Sequence, residues 1–194
     1  MPSEQRRGQI LEAAAELFAS RGFAGTTTRE IAAAVGTTET VLYRHFPAKE
    51  SLYAAILEQR VPAASVDRWL DEMEVIAKRN DDKALFTAVV SAILESFRRD
   101  RVYHRLVMYA TLEGHDLARL ANAKYSGPFL GFLRDYVARR QRKGAFRRMR
   151  PEWVAHMLVA AATHYALWNS LGVNPLGLTD AEVATQTVAL MARC

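Results

Sequence analysis

Apolar residues recur three and four positions apart along nearly the whole chain, and no stretch keeps the period of two that a half-buried strand needs. Ile10, Ala14, Leu17 and Phe18 fall on one stripe and predict a helix over about residues 4–20. Gly22 closes it by adopting left-handed backbone. Thr27-Thr28-Arg29-Glu30 has the form of a capping box, with a hydroxyl at the N-cap and a carboxylate three residues later. It opens a short helix carrying Ile31 and Val35, and Gly36 breaks the chain after about two turns. A second short helix is predicted from about Thr38 to His45, stopped by Pro47. Two short helices around a glycine turn, preceded by a third, form a helix-turn-helix in a three-helix unit.

Longer helices follow. Leu52, Ile56 and Leu57 begin one that should reach about Lys78 with a kink at Pro62. Asn80-Asp81-Asp82 reads as a turn and cap before a helix with Phe86, Val89, Val90, Ile93 and Phe97, and Val102, Leu106 and Val107 mark the next. Ser126-Gly127-Pro128 should interrupt the segment after that, and Phe129, Phe132, Leu133, Tyr136 and Val137 resume the period. Pro151 suits the first position of an alanine-rich helix ending near Gly172, Asn174-Pro175 makes a loop, and Thr179-Asp180-Ala181-Glu182 is a second capping box. The pattern predicts an all-α chain of about nine helices. It places a helix-turn-helix unit over 1–48 and a larger helical bundle over 49–194.

Composition narrows the function classes. The chain has 194 residues with one cysteine, Cys194, which cannot form an internal bridge, so a reducing cytoplasmic setting is expected. No apolar run approaches the roughly 18 residues that span a bilayer, and MPSEQRRGQI lacks a signal-peptide core. Net charge is +5, which suggests a polyanionic partner. The position of that charge changes the picture. Residues 1–50 hold six basic and six acidic side chains, whereas 134–150 hold eight basic residues against Asp135. DNA binding must therefore rest on where individual side chains project. The basic cluster itself reads as a solvated helix end whose cations suit the C-terminal dipole, or as a secondary anionic contact.

The stretch GFAGTTTREIAAAVGTTETVLYRHFPAKESLY, from Gly22 to Tyr53, resembles the DNA-binding segment of the tetracycline-repressor (TetR) family of bacterial transcription regulators. Its Gly-Phe, Thr-Thr-Arg-Glu-Ile-Ala, Val-Gly, Leu-Tyr, His-Phe and Lys-Glu pairs stand at the family's spacings, after Ala-Ala-Ala-Glu-Leu-Phe at 13–18. Gly144-Ala145-Phe146-Arg147 and Pro151 look like that family's entry to its dimerisation helices. The resemblance implies a homodimer on a palindromic double-stranded operator, released by a small-molecule effector, and it makes 49–194 the ligand-binding and dimerisation domain.

Side-chain chemistry points the same way. Thr28 stands where free N–H groups, the helix dipole and a hydroxyl favour phosphate, and Arg29 beside it reaches a phosphate or a guanine edge. On the second short helix, Thr38, Glu39, Thr40, Val41 and Arg44 are expected to face out. Such a surface reads bases by short contacts: Glu to a cytosine amino group, Thr or Val against a thymine methyl. Tyr43, His45 and Lys49 are expected to contact phosphates, with Ile31, Leu42 and Phe46 as the buried hub. Val41 and Thr37 depart from the family pattern, which favours a small hydroxyl or alanine at the first and an apolar residue at the second.

In the body, Trp69, Phe86, Tyr103 and Met108 are candidate pocket walls with Tyr125 and Trp168, and His104 and His164 supply polar groups, with Glu113 and Asn169 further candidates. The same spacing also describes plain core. An uncharged or lipophilic effector is expected. For the dimer, Leu158, Ala161 and Leu167 with Val183, Thr187 and Leu190 form the candidate face, which would look alike if packed internally. His156 and His164 lack the further ligands of a metal site, so no metal or cofactor is expected. An enzyme would need a nucleophile–base pair or paired carboxylates, and none is apparent. The alternatives kept are a helical-bundle enzyme and a nonspecific architectural DNA binder. The leading expectation is a ligand-responsive regulator, acting as a repressor.

Overall fold

The computed structural model describes residues 3–174 and 176–191, apart from the side chains of Ala63, Ala64 and Leu117. Pro175, Arg193 and Cys194 lie outside the described residues, so the expectation for the lone thiol does too. The described residues are helical without a strand. They form α1 (Ser3–Arg21), α2 (Thr28–Ala34), α3 (Glu39–His45), α4 (Lys49–Arg60), α5 (Ala63–Lys78), α6 (Asp82–Arg99), α7 (Arg101–Leu112), α8 (Asp116–Ala121), α9 (Gly127–Arg142), α10 (Pro151–Ser170) and α11 (Asp180–Met191). Counting 49–78 as one run bent at Pro62, and 116–142 as one run, gives the nine expected.

Local chemistry sets most boundaries. Gly22 takes φ +76° and its N–H donates to the Phe18 carbonyl at 2.9 Å, ending α1. Asp81 caps α6 through the Ala84 N–H at 2.9 Å, and Asp100 caps α7 through the Tyr103 N–H at 2.9 Å. One expectation fails. Ser126-Gly127-Pro128 does not break the chain: a π-helical turn over Asn122–Ser126 runs straight into α9. Proline lacks the N–H an α-turn would use, and the wider turn absorbs that loss without a loop.

Packing also groups the chain differently from a boundary at residue 48. One compact unit runs through Ala63 and adds Asp100–Lys124; the other takes Ala64–Arg99 and the chain from Tyr125 onward. In the first unit α1 packs on α2, α4 and α7. Its core holds Ile10, Phe18, Ile31, Leu42, Phe46, Leu52, Tyr53 and Leu106. Tyr53 donates its hydroxyl to the Leu106 carbonyl at 2.6 Å, and burial pushes that phenol above its ordinary pKa.

In the second unit α6 and α10 are central, flanked by α9 and α11. Leu85, Phe86, Val89 and Val90 meet Leu133, Ala155, Leu158, Ala162, Val183 and Val188 there. Two cations of the 134–150 cluster are structural. Arg140 binds Asp82 through both carboxylate oxygens at 2.7 and 2.8 Å, and Arg139 donates to Asn80 and to the Ala77 carbonyl at 3.0 and 2.9 Å. These bonds tie α9 to the end of α5, the turn after it and the start of α6, so the two arginines are not a freely solvated helix end.

Candidate nucleic-acid interface

Thr27 at the start of α2 forms the full capping box. Its hydroxyl accepts from the Glu30 N–H at 3.2 Å, and Glu30 Oε2 accepts from the Thr27 N–H at 2.8 Å. That backbone bond, then the Thr27 hydroxyl and Arg21, holds the Glu30 carboxyl below its ordinary range. Arg21 closes the corner with a 2.9 Å ion pair to Glu30. Thr38 caps α3 through the Val41 N–H, and Phe46 ends it. Ile31, Leu42 and Phe46 are buried as expected, locking α2 onto α3.

With the hub inside, the outer faces of α2 and α3 present Arg29, Thr38, Thr40, Tyr43 and Arg44 to solvent, with Thr28, Glu39, Val41 and His45 half-buried. Among the described residues Arg29 and Arg44 make no ion pair. Thr28 and Glu39 join across the two helices: the Thr28 hydroxyl lies 2.6 Å from Glu39 Oε1 and 3.2 Å from the Tyr43 hydroxyl. Of the expected DNA-contact residues, Thr28, Glu39 and Tyr43 are thus brought together.

Lys49 is the departure. Its ammonium donates to the Phe23 carbonyl and sits 4.2 Å from the Phe23 ring centroid, and desolvation lowers its pKa. It is turned inward rather than held out as a free phosphate donor. Two nearby cations are also engaged: Arg6 donates to the Val35 carbonyl at 3.0 Å, and Arg7 lies over the Phe46 ring.

The candidate pocket residues divide between the two units. Tyr103, His104 and Met108 belong to the first unit, on α7. Phe86 is core of the second unit, stacked on Phe146 at 5.7 Å, and Trp69 packs edge-on to Phe129 at 4.9 Å. Tyr125 is buried in the π-helical turn, while His164 and Trp168 stand on the exposed side of α10. Glu113 accepts from the turn after α1, a contact across 90 residues that no sequence signal announced. A groove of about 740 Å³ does lie in the second unit, lined by Leu130, Arg134, Met149, Trp153 and His156 among others, none of them in the candidate set.

The candidate dimer face needs a similar correction. Leu158, Val183 and Thr187 are buried in the second unit's own core, Leu158 at 1% exposure. Ala161 and Leu190 do face solvent, Leu190 at 71%, and Leu167 is half-buried. The apolar face that α10 leaves open instead carries Trp153, Met157 and Trp168. Among the described residues, no group of three or more metal-ligating side chains gathers, and no helix is long and apolar enough to cross a membrane.

Short helices α2 and α3, with α2 packed on both α1 and α3, define a helix-turn-helix protein. Residues 10–56 match the family profile of the tetR family of bacterial regulatory proteins. It is 32% identical over 108 residues to the HTH-type transcriptional activator FasR of Mycolicibacterium smegmatis, a stretch covering 55% of this chain and 47% of FasR. The HTH-type transcriptional repressor KstR2 of Rhodococcus jostii is 36% identical over 47% of this chain and 43% of its own length. The chain thus matches about half the length of these relatives. The transcriptional regulator RutR of Escherichia coli (strain K12) is 27% identical, over 83% of this chain and 74% of RutR. Among solved structures, HlyIIR, a hemolysin II transcriptional regulator, covers the whole chain with a TM-score of 0.74 at 14% identity. AibR, solved with isovaleryl coenzyme A and operator DNA, covers 96% of this chain and 97% of its own with a TM-score of 0.65 at 24% identity. Both likenesses show the fold.

Proposed function

We propose that this protein is a cytoplasmic, ligand-responsive transcriptional regulator that binds a palindromic DNA operator as a homodimer. It acts as a repressor and leaves the operator when a small lipophilic effector binds. The observation that carries this reading is the joined face of α2 and α3. Thr28, Glu39 and Tyr43 form one hydrogen-bonded cluster beside the solvent-facing Arg29, Thr38, Thr40 and Arg44. Short hydroxyls and methyls suit base edges in a major groove, and the flanking arginines suit phosphates.

One such unit covers half of a site, so a twofold dimer is the economical way to gain length and specificity. The open face of α10, with Trp153, Met157 and Trp168, supports that dimer, joined by Leu190 of α11. AibR's capture with both isovaleryl coenzyme A and operator DNA supports a body that takes a small-molecule effector. The functional division is a DNA-binding domain over 1–48 and a ligand-binding and dimerisation domain over 49–194.

Selection of bound sequences from random duplexes tests the reading. A twofold-symmetric consensus bound far more tightly than unrelated DNA is the expected result. Equal affinity for all duplexes would point to a nonspecific binder instead.

A further inference from the structure

Phe23 is gripped from both sides by opposite charges. Its N–H donates to Glu113 Oε2 at 3.1 Å, and the next N–H, of Ala24, donates to Oε1 at 3.3 Å. Its carbonyl accepts from the Lys49 ammonium, which also lies over its ring. The His115 ring packs against the Phe23 ring, with centroids 4.3 Å apart. One turn before Glu113, the Tyr109 hydroxyl donates to the Ser20 carbonyl at 3.3 Å.

Gly22 records the same approach independently. A Cβ there would stand 2.2 Å from Glu113 Oε1, so the carboxylate occupies the space a side chain would need. The end of α7 and the start of α4 therefore converge on residues 20–24. That turn leads directly to the Thr27 cap and to Thr28 and Arg29.

We propose that Glu113 and Lys49 are positioning residues for DNA recognition: together they hold the Phe23 peptide, and through it the placement of Thr28 and Arg29 against α3. This rests on the DNA-binding reading above. A turn of backbone between two helices has few contacts of its own, and two charge-assisted bonds to its N–H groups restrict it strongly. Lys49 acts here from behind the helix start and not on a phosphate.

The test uses the full chain and a duplex selected by the wild type, with binding to that duplex and an unrelated one followed across salt, and melting recorded alongside. Removing the Glu113 charge would by electrostatics alone tighten binding to both duplexes. Positioning predicts the opposite for the selected one: Glu113→Gln weakens it about tenfold while the unrelated duplex binds as before or more tightly. Gly22→Ala, which displaces the same carboxylate, should repeat that pattern. Lys49→Gln should weaken selected binding with an unchanged salt slope, whereas loss of a phosphate contact lowers the slope by about 0.9. Unchanged or tighter selected binding by folded Glu113→Gln overturns the proposal, as does the reduced slope for Lys49→Gln. A wild type that selects no sequence overturns the DNA-binding reading itself, a separate and recognisable outcome.

Discussion

The Thr28 hydroxyl lies 2.6 Å from Glu39 Oε1, and the same oxygen is 3.2 Å from the Tyr43 hydroxyl. Thr28 has one proton to give, and the carboxylate can only accept, so Thr28 donates to Glu39 and Tyr43 donates to Thr28. A DNA phosphate arriving at this corner must take Glu39's place as acceptor. Glu39→Gln is expected to bind unrelated duplexes several-fold more tightly and to lose discrimination, because a repelling charge beside the backbone is gone. Fluorescence anisotropy at fixed salt measures both. Weaker binding to unrelated DNA would contradict the arrangement.

Leu42 is wholly buried between α2 and α3. Leu42→Ala should cost about 2–5 kcal/mol of stability through the cavity it leaves. Tyr43→Phe, on the exposed side of the same helix, should change stability by less than about 0.5 kcal/mol yet weaken DNA binding. Denaturant titration and a binding assay on the two variants separate core from contact; equal stability losses would refute the assignment.

Both capping boxes predict a pH response. Glu30 and Glu182 are held below the ordinary carboxyl value of 4.5, chiefly by the backbone N–H groups of Thr27 and Thr179. A depressed folded pKa means the stabilisation is fully present above 4.5 and fades as pH falls through the folded value. Melting temperature should therefore drop on the acid side of that point, and more gently in a Glu30→Gln, Glu182→Gln double variant. An identical acid limb in both proteins would show that the caps do not govern it.

The open face of α10 makes the proposed dimer testable. Trp153 is 55% exposed and Val183 only 6%. Trp153→Glu should yield a folded monomer in sedimentation, whereas Val183→Glu should unfold the second unit because it buries an unpaired charge. A dimeric Trp153→Glu protein would move the interface elsewhere.

Arginines of the basic cluster should divide by their partners. Arg140→Ala breaks the paired bonds to Asp82 and should lower the melting temperature. Arg147→Ala with Arg148→Ala, on exposed positions, should leave both stability and operator affinity nearly unchanged. A large affinity loss with a shallower salt slope would reveal a second contact with DNA.

Much of the helix-turn-helix was legible because its signals are local. The Thr27–Glu30 box, the Gly22 stop and the alternation of Ile31, Leu42 and Phe46 with exposed hydroxyls all act within a few residues, where spacing and backbone geometry decide the outcome. The placement of Lys49 is not legible, because a lysine at a helix start has the same sequence whether it points out or folds back over Phe23. The bond from the Phe23 N–H to Glu113 has no sequence signal because the two residues stand 90 apart.

The sequence by itself determined the helices, their caps and the pairing of α2 with α3, since each rests on bonds between near neighbours in the chain. Only the tertiary structure decided which side of α10 is core. That helix is apolar nearly all round, with Ala155, Leu158 and Ala162 inward and Trp153, Met157 and Trp168 outward. Periodicity identifies a buried stripe by its contrast with a polar one. Where both faces are apolar the contrast vanishes, and the packing partners make the choice.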